Sequence, residues 1–528
     1  MLDGVTIYNP FHSIGLFSVF ETETIRGADV LTGGFGAEYG GRIGAIVDVR
    51  TREGNGKRLA GQVSGSPFQA KILLEGPIIK FKDTESGSLS FLLTGKKSLL
   101  PETAKTLYKY ANTGSAPSEN EGGNLPFDYQ DFYGKISFSA RNGSKLNAFG
   151  FSFQDGVNYT QVSDLQWQTE GGGINFSLIP TGLKMLVGGN FAASNYKISL
   201  SEAAQDPRTS GVSSFNAGLN FTVFGNQSEL KYGFDVSGFS TDFAFENPLG
   251  FDFEQKENTT ELAAFARFRK SWARVVLEPS LHIRNYSALG ELQIEPRLAA
   301  KVNITEGVRL KASGGLYSQN LISTTSEKDI VNLFVGFLSG PEERISKLGS
   351  SENTTSRLQK AIHVIGGFEF DFGKKTRLNL EGYLKKMTQL IEINRFKTRP
   401  TDANYVSEEG EAYGADMSIE SNFSKLNLYF SYGLTFVNRF DGVQNYPTNF
   451  DRRHNANFLA SYFMGKKADW EISARWNYGS GFPFTQTRGF FSNFPASGVG
   501  TDILTQNPDL GVIFRIKETA DVCPIFTG

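Results

Sequence analysis

Leu426-Asn427-Leu428-Tyr429-Phe430-Ser431-Tyr432-Gly433-Leu434-Thr435-Phe436 is the stretch that decides the fold. In an extended strand successive side chains point to opposite faces. Leu426, Leu428, Phe430, Tyr432, Leu434 and Phe436 therefore share one face, and Asn427, Tyr429, Ser431, Gly433 and Thr435 share the other. Such a strand can show one side to lipid and the other to water.

The pattern recurs outward from that segment. Trp470, Ile472, Ala474, Trp476 and Tyr478 alternate with Glu471, Ser473, Arg475 and Asn477. Leu230 to Val236 places Lys231 and Asp235 on its polar face, and Leu277 to Ile283 places Glu278, His282 and then Arg284 there. A soluble β-sandwich also alternates, but two features disfavour it. Full charges stand on the polar faces beside nearly unbroken apolar faces, and the connections alternate in length. Short turns fall at Arg141–Ser144, Pro180–Gly182, Gly225–Gln227, Thr305–Gly307, Gly373–Lys375, Asn422–Lys425 and Gly465–Lys467. Long polar loops are expected at 98–127, 240–257, 319–355, 390–408 and 439–451. Membrane barrels carry short turns at one rim and long loops at the other. The reading is therefore an all-β membrane protein, a large antiparallel up-and-down transmembrane β-barrel from residue 57 to 528. It holds about eighteen strands by residue 481, each near the ~9–11 residues that cross a bilayer.

The totals agree. Hydrophobic residues make up 39% of 528 and mean hydropathy is −0.27, as expected when only alternate residues meet lipid. Phe numbers 46 and Gly 58, the latter above an average usage of ~7%. Aromatics suit interface girdles, and Trp272, Trp470 and Trp476 fall near strand ends. Trp167, near an outer loop, is read as girdle or loop packing, with sugar stacking as the alternative. A net charge of −2 gives no basic balance for nucleic acid. The single Cys523 and the scattered His12, His282, His363 and His454 offer no metal-ligand spacing. No catalytic constellation is found, no cofactor is called for, and an enzyme is not expected.

Residues 1–56 read differently. Val5–Tyr8 and Ala45–Thr51 are expected as short strands, Glu21–Arg26 as a brief helix, and Glu53–Lys57 as a polar linker. Gly33-Gly34-Phe35-Gly36 lacks the Gly-Lys-Ser/Thr ending of a phosphate loop. This opening run, with Leu2–His12, Gly33–Arg42 and Ile46–Arg52, closely resembles the second half of the plug domain of TonB-dependent outer-membrane receptors of the Bacteroidota type. Asp451–Asn455 and Asn477–Pro483 resemble strand-end motifs of the same group. The resemblance implies a partial N-terminal plug in the barrel lumen, twenty-two strands, residence in the outer membrane of a Gram-negative bacterium, and contact with outer-membrane lipid. It further implies a TonB-type periplasmic energy transducer, whose binding segment is absent here, and a possible surface lipoprotein partner.

No signal peptide precedes Met1, and Gly528 is not the terminal aromatic usual in such barrels. Both ends are therefore expected to be missing or altered, with one further strand expected at Leu510–Ile516.

Tyr8, Asn9, Phe11 and His12 are the candidate substrate contacts, since the resemblance places them at the outward apex of the plug. Asn-Pro turn chemistry that merely fixes the loop is the competing reading. Arg42 and Arg50 are candidates for plug–barrel contact, because plug arginines in related receptors pair with barrel glutamates. A solvated surface charge is the alternative. Glu75, Glu278, Glu381 and Glu471 fall at inward strand positions. Where many members carry a basic residue, this chain has Thr32. The leading expectation is energy-coupled import of a scarce or bulky ligand such as a siderophore, cobalamin, glycan or peptide. A passive pore or surface ligand-binding barrel, and a non-functional receptor fragment, are the alternatives.

Overall fold

The computed structural model describes residues 1–80, 87–107, 126–159, 163–202, 207–246, 252–325, 334–343, 345–346, 352–394, 399, 401–465, 469–483, 491–492 and 510–511. Twenty strands stand in one closed barrel order. Registered antiparallel pairing runs from Ala60–Gly65 through each successive neighbour to Trp470–Gly479. The three-residue Asn445–Pro447 and the longer His454–Met464 both pair with Leu426–Phe440, one above the other. Ala60–Gly65 and Trp470–Gly479 meet at the seam of the order, and both are exposed along most of their length.

Side-chain parity shows which way round the cylinder is built. On Phe127–Ser139, Tyr129, Asp131, Tyr133, Lys135 and Ser137 are buried, whereas Phe132, Ile136 and Phe138 are exposed. Leu230, Tyr232 and Phe234 are likewise exposed, while Lys231 on the same strand reaches an ion-pair partner inside. Charge sits within and apolar surface without, the reverse of a soluble sandwich and the arrangement a bilayer rewards. No helix among the described residues is long and apolar enough to cross a membrane. Strands can do so because every ladder bond is made to a neighbouring strand.

Several strands outrun the bilayer. Asp252–Ser271 has 20 residues, about 65 Å at ~3.3 Å per residue. Its outward face is apolar at Leu262, Ala264, Ala266 and Phe268 but polar at Glu254, Lys256, Asn258 and Thr260. This corrects the loop expected at 240–257: Ser228–Glu246 and Asp252–Ser271 continue as paired strands beyond the apolar belt. The outward face turns polar there at Ser240, Asp242 and Glu254 while Phe243, Phe245 and Phe253 fall on the inward side, so the end of the outward apolar face does not mark the end of the strand. Within 98–127 a helix, Leu100–Leu107, forms where only loop was expected. The short turns lie where the spacing put them, although part of Gly465–Lys467 falls outside the described residues. Of Leu510–Ile516 only Leu510–Gly511 is described, paired with Phe491–Ser492. Cys523 lies outside the described residues.

The residues before the barrel pack inside it. Ile25–Leu31 pairs antiparallel with Ile46–Thr51, and Phe11–His12 pairs with Phe17–Ser18. Val5–Tyr8 forms no strand; Val5 makes only a bridge to Leu2. The helix expected at Glu21–Arg26 is one 3-10 turn, Thr22–Thr24, because Ile25 onward is drawn into pairing with Ile46–Thr51. Leu2, Val5, Val19 and Val49 pack on Leu92, Tyr133, Phe149 and Phe151 of the wall. Gly54 lies against the Phe91 backbone carbonyl so closely that no side chain fits.

The outward apolar face gives a direct test. Phe234→Lys should destabilise the barrel by about 2–4 kcal/mol in lipid vesicles if it lies near the bilayer midplane, measured by urea unfolding. A soluble sandwich would tolerate lysine at a position already 53% exposed.

Candidate functional site

The inner segment is held by groups that the barrel wall projects into the lumen. Arg297 donates to the carbonyls of Phe35 (3.2 Å), Gly36 (2.6 Å) and Tyr39 (2.6 Å). Its guanidinium lies 4.2 Å from the Tyr317 ring and pairs with Glu295 at 2.8 Å. His282 donates from Nδ1 to the Ala37 carbonyl at 2.7 Å, and His363 from Nε2 to that of Ile43 at 2.9 Å. Lys385 donates to the carbonyls of Thr32 and Gly44. Residues 32–44 are an irregular, glycine-rich run whose carbonyls have few partners of their own. A buried carbonyl left unpaired costs about 1–3 kcal/mol, so these wall donors replace the hydrogen bonds that secondary structure would provide. Gly40 is required here: a Cβ on it would collide with the His282 ring.

A second set of contacts is ionic. Glu38 meets Arg267 at 2.6 Å and Lys231 at 3.4 Å. Asp3 meets Lys135 at 3.6 Å and accepts from Tyr133 at 2.7 Å. Lys96, almost fully buried, lies 3.0 Å from Glu21 and 2.8 Å from Asp131, and donates to the Ser18 carbonyl. Glu23 is held below the usual carboxylate range chiefly by its hydrogen bond to Lys71. Tyr39 is pushed up to about 12, first by burial and then by Asp48 and Glu38, so it stays a neutral donor toward Asp48.

The four proposed ligand contacts divide. His12 is fully buried: Nε2 lies 2.9 Å from Asp131, and its ring is stacked between Tyr129 (4.6 Å) and Trp167 (5.2 Å). The adjacent Ser13 amide and Trp167 Nε1 both donate to Asp155. Asn9 accepts from the Phe11 amide within the loop. Tyr8 packs on Tyr196 and Phe337 at 5.7 and 5.2 Å. Phe11 remains 52% exposed. Tyr8 and Phe11 line a cavity of about 1220 Å3. That cavity passes between the inner segment and the wall, with Leu321 and Asn320 at the long-loop end and Gly143 and Lys145 at the short-turn end. A second space of about 730 Å3, lined by Thr32, Lys311, Glu381 and Lys385, lies against another part of the wall.

The proposed plug–barrel arginines sit elsewhere than the resemblance implied. Arg50 pairs with Asp48 (2.8 Å) and Asp29 (3.1 Å) of its own segment. Arg42 donates to the Gly41 carbonyl at 2.7 Å and, among the described residues, has no barrel partner. The arginine that meets a predicted inward glutamate is Arg52, whose two terminal nitrogens reach Glu75 at 2.5 and 3.1 Å. Glu381 and Glu278 approach barrel cations, Lys311 and Arg267. Sequence reading placed His282 and Arg284 inward, but not Arg297, His363, Lys385, Lys96 or Asp131. Their parity within their strands was the available signal. Trp167 proves buried, in keeping with packing, whereas Trp272, Trp470 and Trp476 are exposed on or beside the strands. No group of three metal-ligating side chains occurs among the described residues.

No protein-family model and no curated protein matches this sequence. Solved structures do match. The siderophore receptor PirA from Pseudomonas aeruginosa superimposes with a TM-score of 0.60 at 13% identity, covering 91% of this chain and 83% of that one. The copper transporter OprC gives 0.62 at 13%, covering 90% and 76%. The outer membrane transporter YddB from Escherichia coli gives 0.61 at 9%, covering 95% and 80%. The chain therefore has the fold of the outer-membrane β-barrel receptors and transporters. This is the architecture of the TonB-dependent receptors that its opening motifs resemble.

Lys96→Met leaves Glu21 and Asp131 facing each other without their buried cation. Removing one partner of such a pair costs about 3–5 kcal/mol. Hydrogen exchange should accelerate over residues 11–19, while exchange in Val308–Gln319 stays unchanged. Equal protection in both proteins would show that the contact does not hold the segment.

Proposed function

We propose that the chain is an outer-membrane receptor importing a scarce or bulky ligand, with residues 1–56 acting as the plug portion and 57–528 as the barrel. A TonB-type periplasmic transducer supplies the work, and a surface lipoprotein is a possible partner at the outer face. The observation that supports this reading is an inner segment lodged in the lumen and fastened to the wall along its glycine-rich run by hydrogen bonds and ion pairs, beside the apolar contact made by Leu2, Val5, Val19 and Val49. Such a plug blocks free diffusion, which argues against a passive pore, yet its fastenings are separable one by one. Pairs that border solvent, such as Glu23 with Lys71 and Glu38 with Lys231, can exchange their partners for water at modest cost, whereas the buried Lys96 contacts are the costly ones for a pulling force to part. Phe11, exposed beside the cavity, is the ligand-facing residue of the apex loop, and Tyr8 of the same segment packs on Tyr196 of the wall. His12 anchors the loop.

The test is uptake in cells expressing the gene that encodes this chain, with ferric siderophores, cobalamin, oligosaccharides and peptides as separate labelled probes. One class should accumulate, and a protonophore should abolish accumulation. Phe11→Ala should weaken that uptake about threefold to tenfold through KM, since loss of one ring contact is worth roughly 0.5–1.5 kcal/mol. Accumulation indifferent to the protonophore would identify a passive pore. No accumulation of any probe, with the protein absent from the outer membrane, would identify an inert receptor fragment.

A further inference from the structure

The larger cavity contains seven charged cationic side chains, and six of them are neutralised. Arg26 and Lys145 pair with Glu53, Arg50 with Asp48, Lys135 with Asp3, Lys231 with Glu38, and Arg284 with Glu261 and Asp235. These pairs account for every side-chain carboxylate on the cavity wall. Arg42 is the seventh cation. Its one hydrogen bond, at 2.7 Å, goes to the neighbouring Gly41 carbonyl, and among the described residues it has no ion pair. The cavity therefore carries one unbalanced guanidinium, that of Arg42, which lines the open space.

The surrounding wall suits a polar guest. Asn147 and Asn175 bond to each other at 2.8 Å, Asn190 bonds to Asn216, and Asn220 continues the row. These neutral amides offer donors and acceptors without competing for an anion. A guanidinium in a partly enclosed site binds a carboxylate or phosphate through paired, charge-assisted bonds.

We propose that Arg42 is an anion-binding group on the route between the inner segment and the wall, and that the imported ligand carries a carboxylate or phosphate. This rests on the import reading above. The inward barrel carboxylates near this segment, Glu261 and Glu295, are taken by the barrel's own Arg284 and Arg297, which leaves Arg42 free for a guest.

The experiment is phenylglyoxal footprinting of the purified full chain, read by mass spectrometry at each arginine. Probes are citrate, inorganic phosphate and neutral maltotriose, with sodium chloride matching ionic strength. Arg50, 58% exposed at its side chain and already paired, is the internal reference. Citrate or phosphate should slow modification of Arg42 roughly tenfold, the factor for about 1.4 kcal/mol, and leave Arg50 unchanged. Protection by citrate alone assigns a carboxylate, and by phosphate alone a phosphate. Protection by maltotriose or chloride to the same degree, or no protection of Arg42, overturns the proposal. The readout involves no transport. Failed energised uptake with Arg42 protected would count against the import reading alone, whereas uptake with Arg42 unprotected would count against this inference alone.

Discussion

A polypeptide threaded through a membrane cylinder has to satisfy its backbone polar groups from the cylinder wall, and this requirement shapes the rest of the molecule. The run from Thr32 to Gly44 is too irregular to pair its carbonyls internally, and Arg297, His282, His363 and Lys385 bond to them from four barrel strands. The wall residues must then point inward at fixed heights. Because strand side chains alternate, fixing Arg297 inward also fixes Leu298 and Pro296 toward lipid, and so on round the barrel. Plug anchoring and lipid exposure are two consequences of one register.

The polarity of the lock follows from the same geometry. A carbonyl-rich loop presents acceptors, so its wall is rich in donors. Plug carboxylates Asp3, Glu21, Glu23 and Glu38 add to that negative face and meet Lys135, Lys96, Lys71 and the pair Arg267–Lys231. The position filled by Thr32 illustrates the exchange. Where the resemblance implied a base in the inner segment, Thr32 stands, and a base from the barrel, Lys385, reaches its carbonyl. Arg52–Glu75 runs in the opposite sense, at the point where the inner segment passes into the first barrel strand, as do His12–Asp131 and the Ser13 amide to Asp155. Glu23–Lys71 and Glu38–Lys231 stand at the edge of solvated space and are weak, while Asp3–Lys135 and Glu21–Lys96 are buried and hold the segment more firmly.

Alternation made the barrel legible from the sequence. Leu426–Phe436 lies with Leu428, Phe430 and Leu434 on the outer side, and its hydrogen-bonded partners carry the same parity across Tyr405–Asn422 and His454–Met464. Legibility stopped where the apolar face stopped. At 240–257 the outward face turns polar and Phe243, Phe245 and Phe253 fall on the inward side, so the alternation that marks the barrel is reversed there. The inner segment was legible by motif, and its contacts were not. Pairing Arg42 with a barrel glutamate requires knowing which side chains stand at the same height in strands hundreds of residues apart. Glu261 stands near Gly41, yet Arg284, two strand positions from His282, claims it. His12 had a further obstacle: a polar residue at an apex loop looks like a ligand contact until Tyr129, Trp167 and Asp131 are seen to enclose it.

The account depends on the inner segment lying against the wall at the stated register. A Cβ placed on Gly4 would lie 3.9 Å from the Asn190 Cβ, within the range a disulfide spans. The direct measurement is oxidative cross-linking of Gly4→Cys with Asn190→Cys, in a chain carrying Cys523→Ser and assembled in membranes. The account predicts a quantitative intramolecular disulfide, detected after cleavage between the two sites. Two thiols that stay free under oxidant and are labelled independently by maleimide would contradict it.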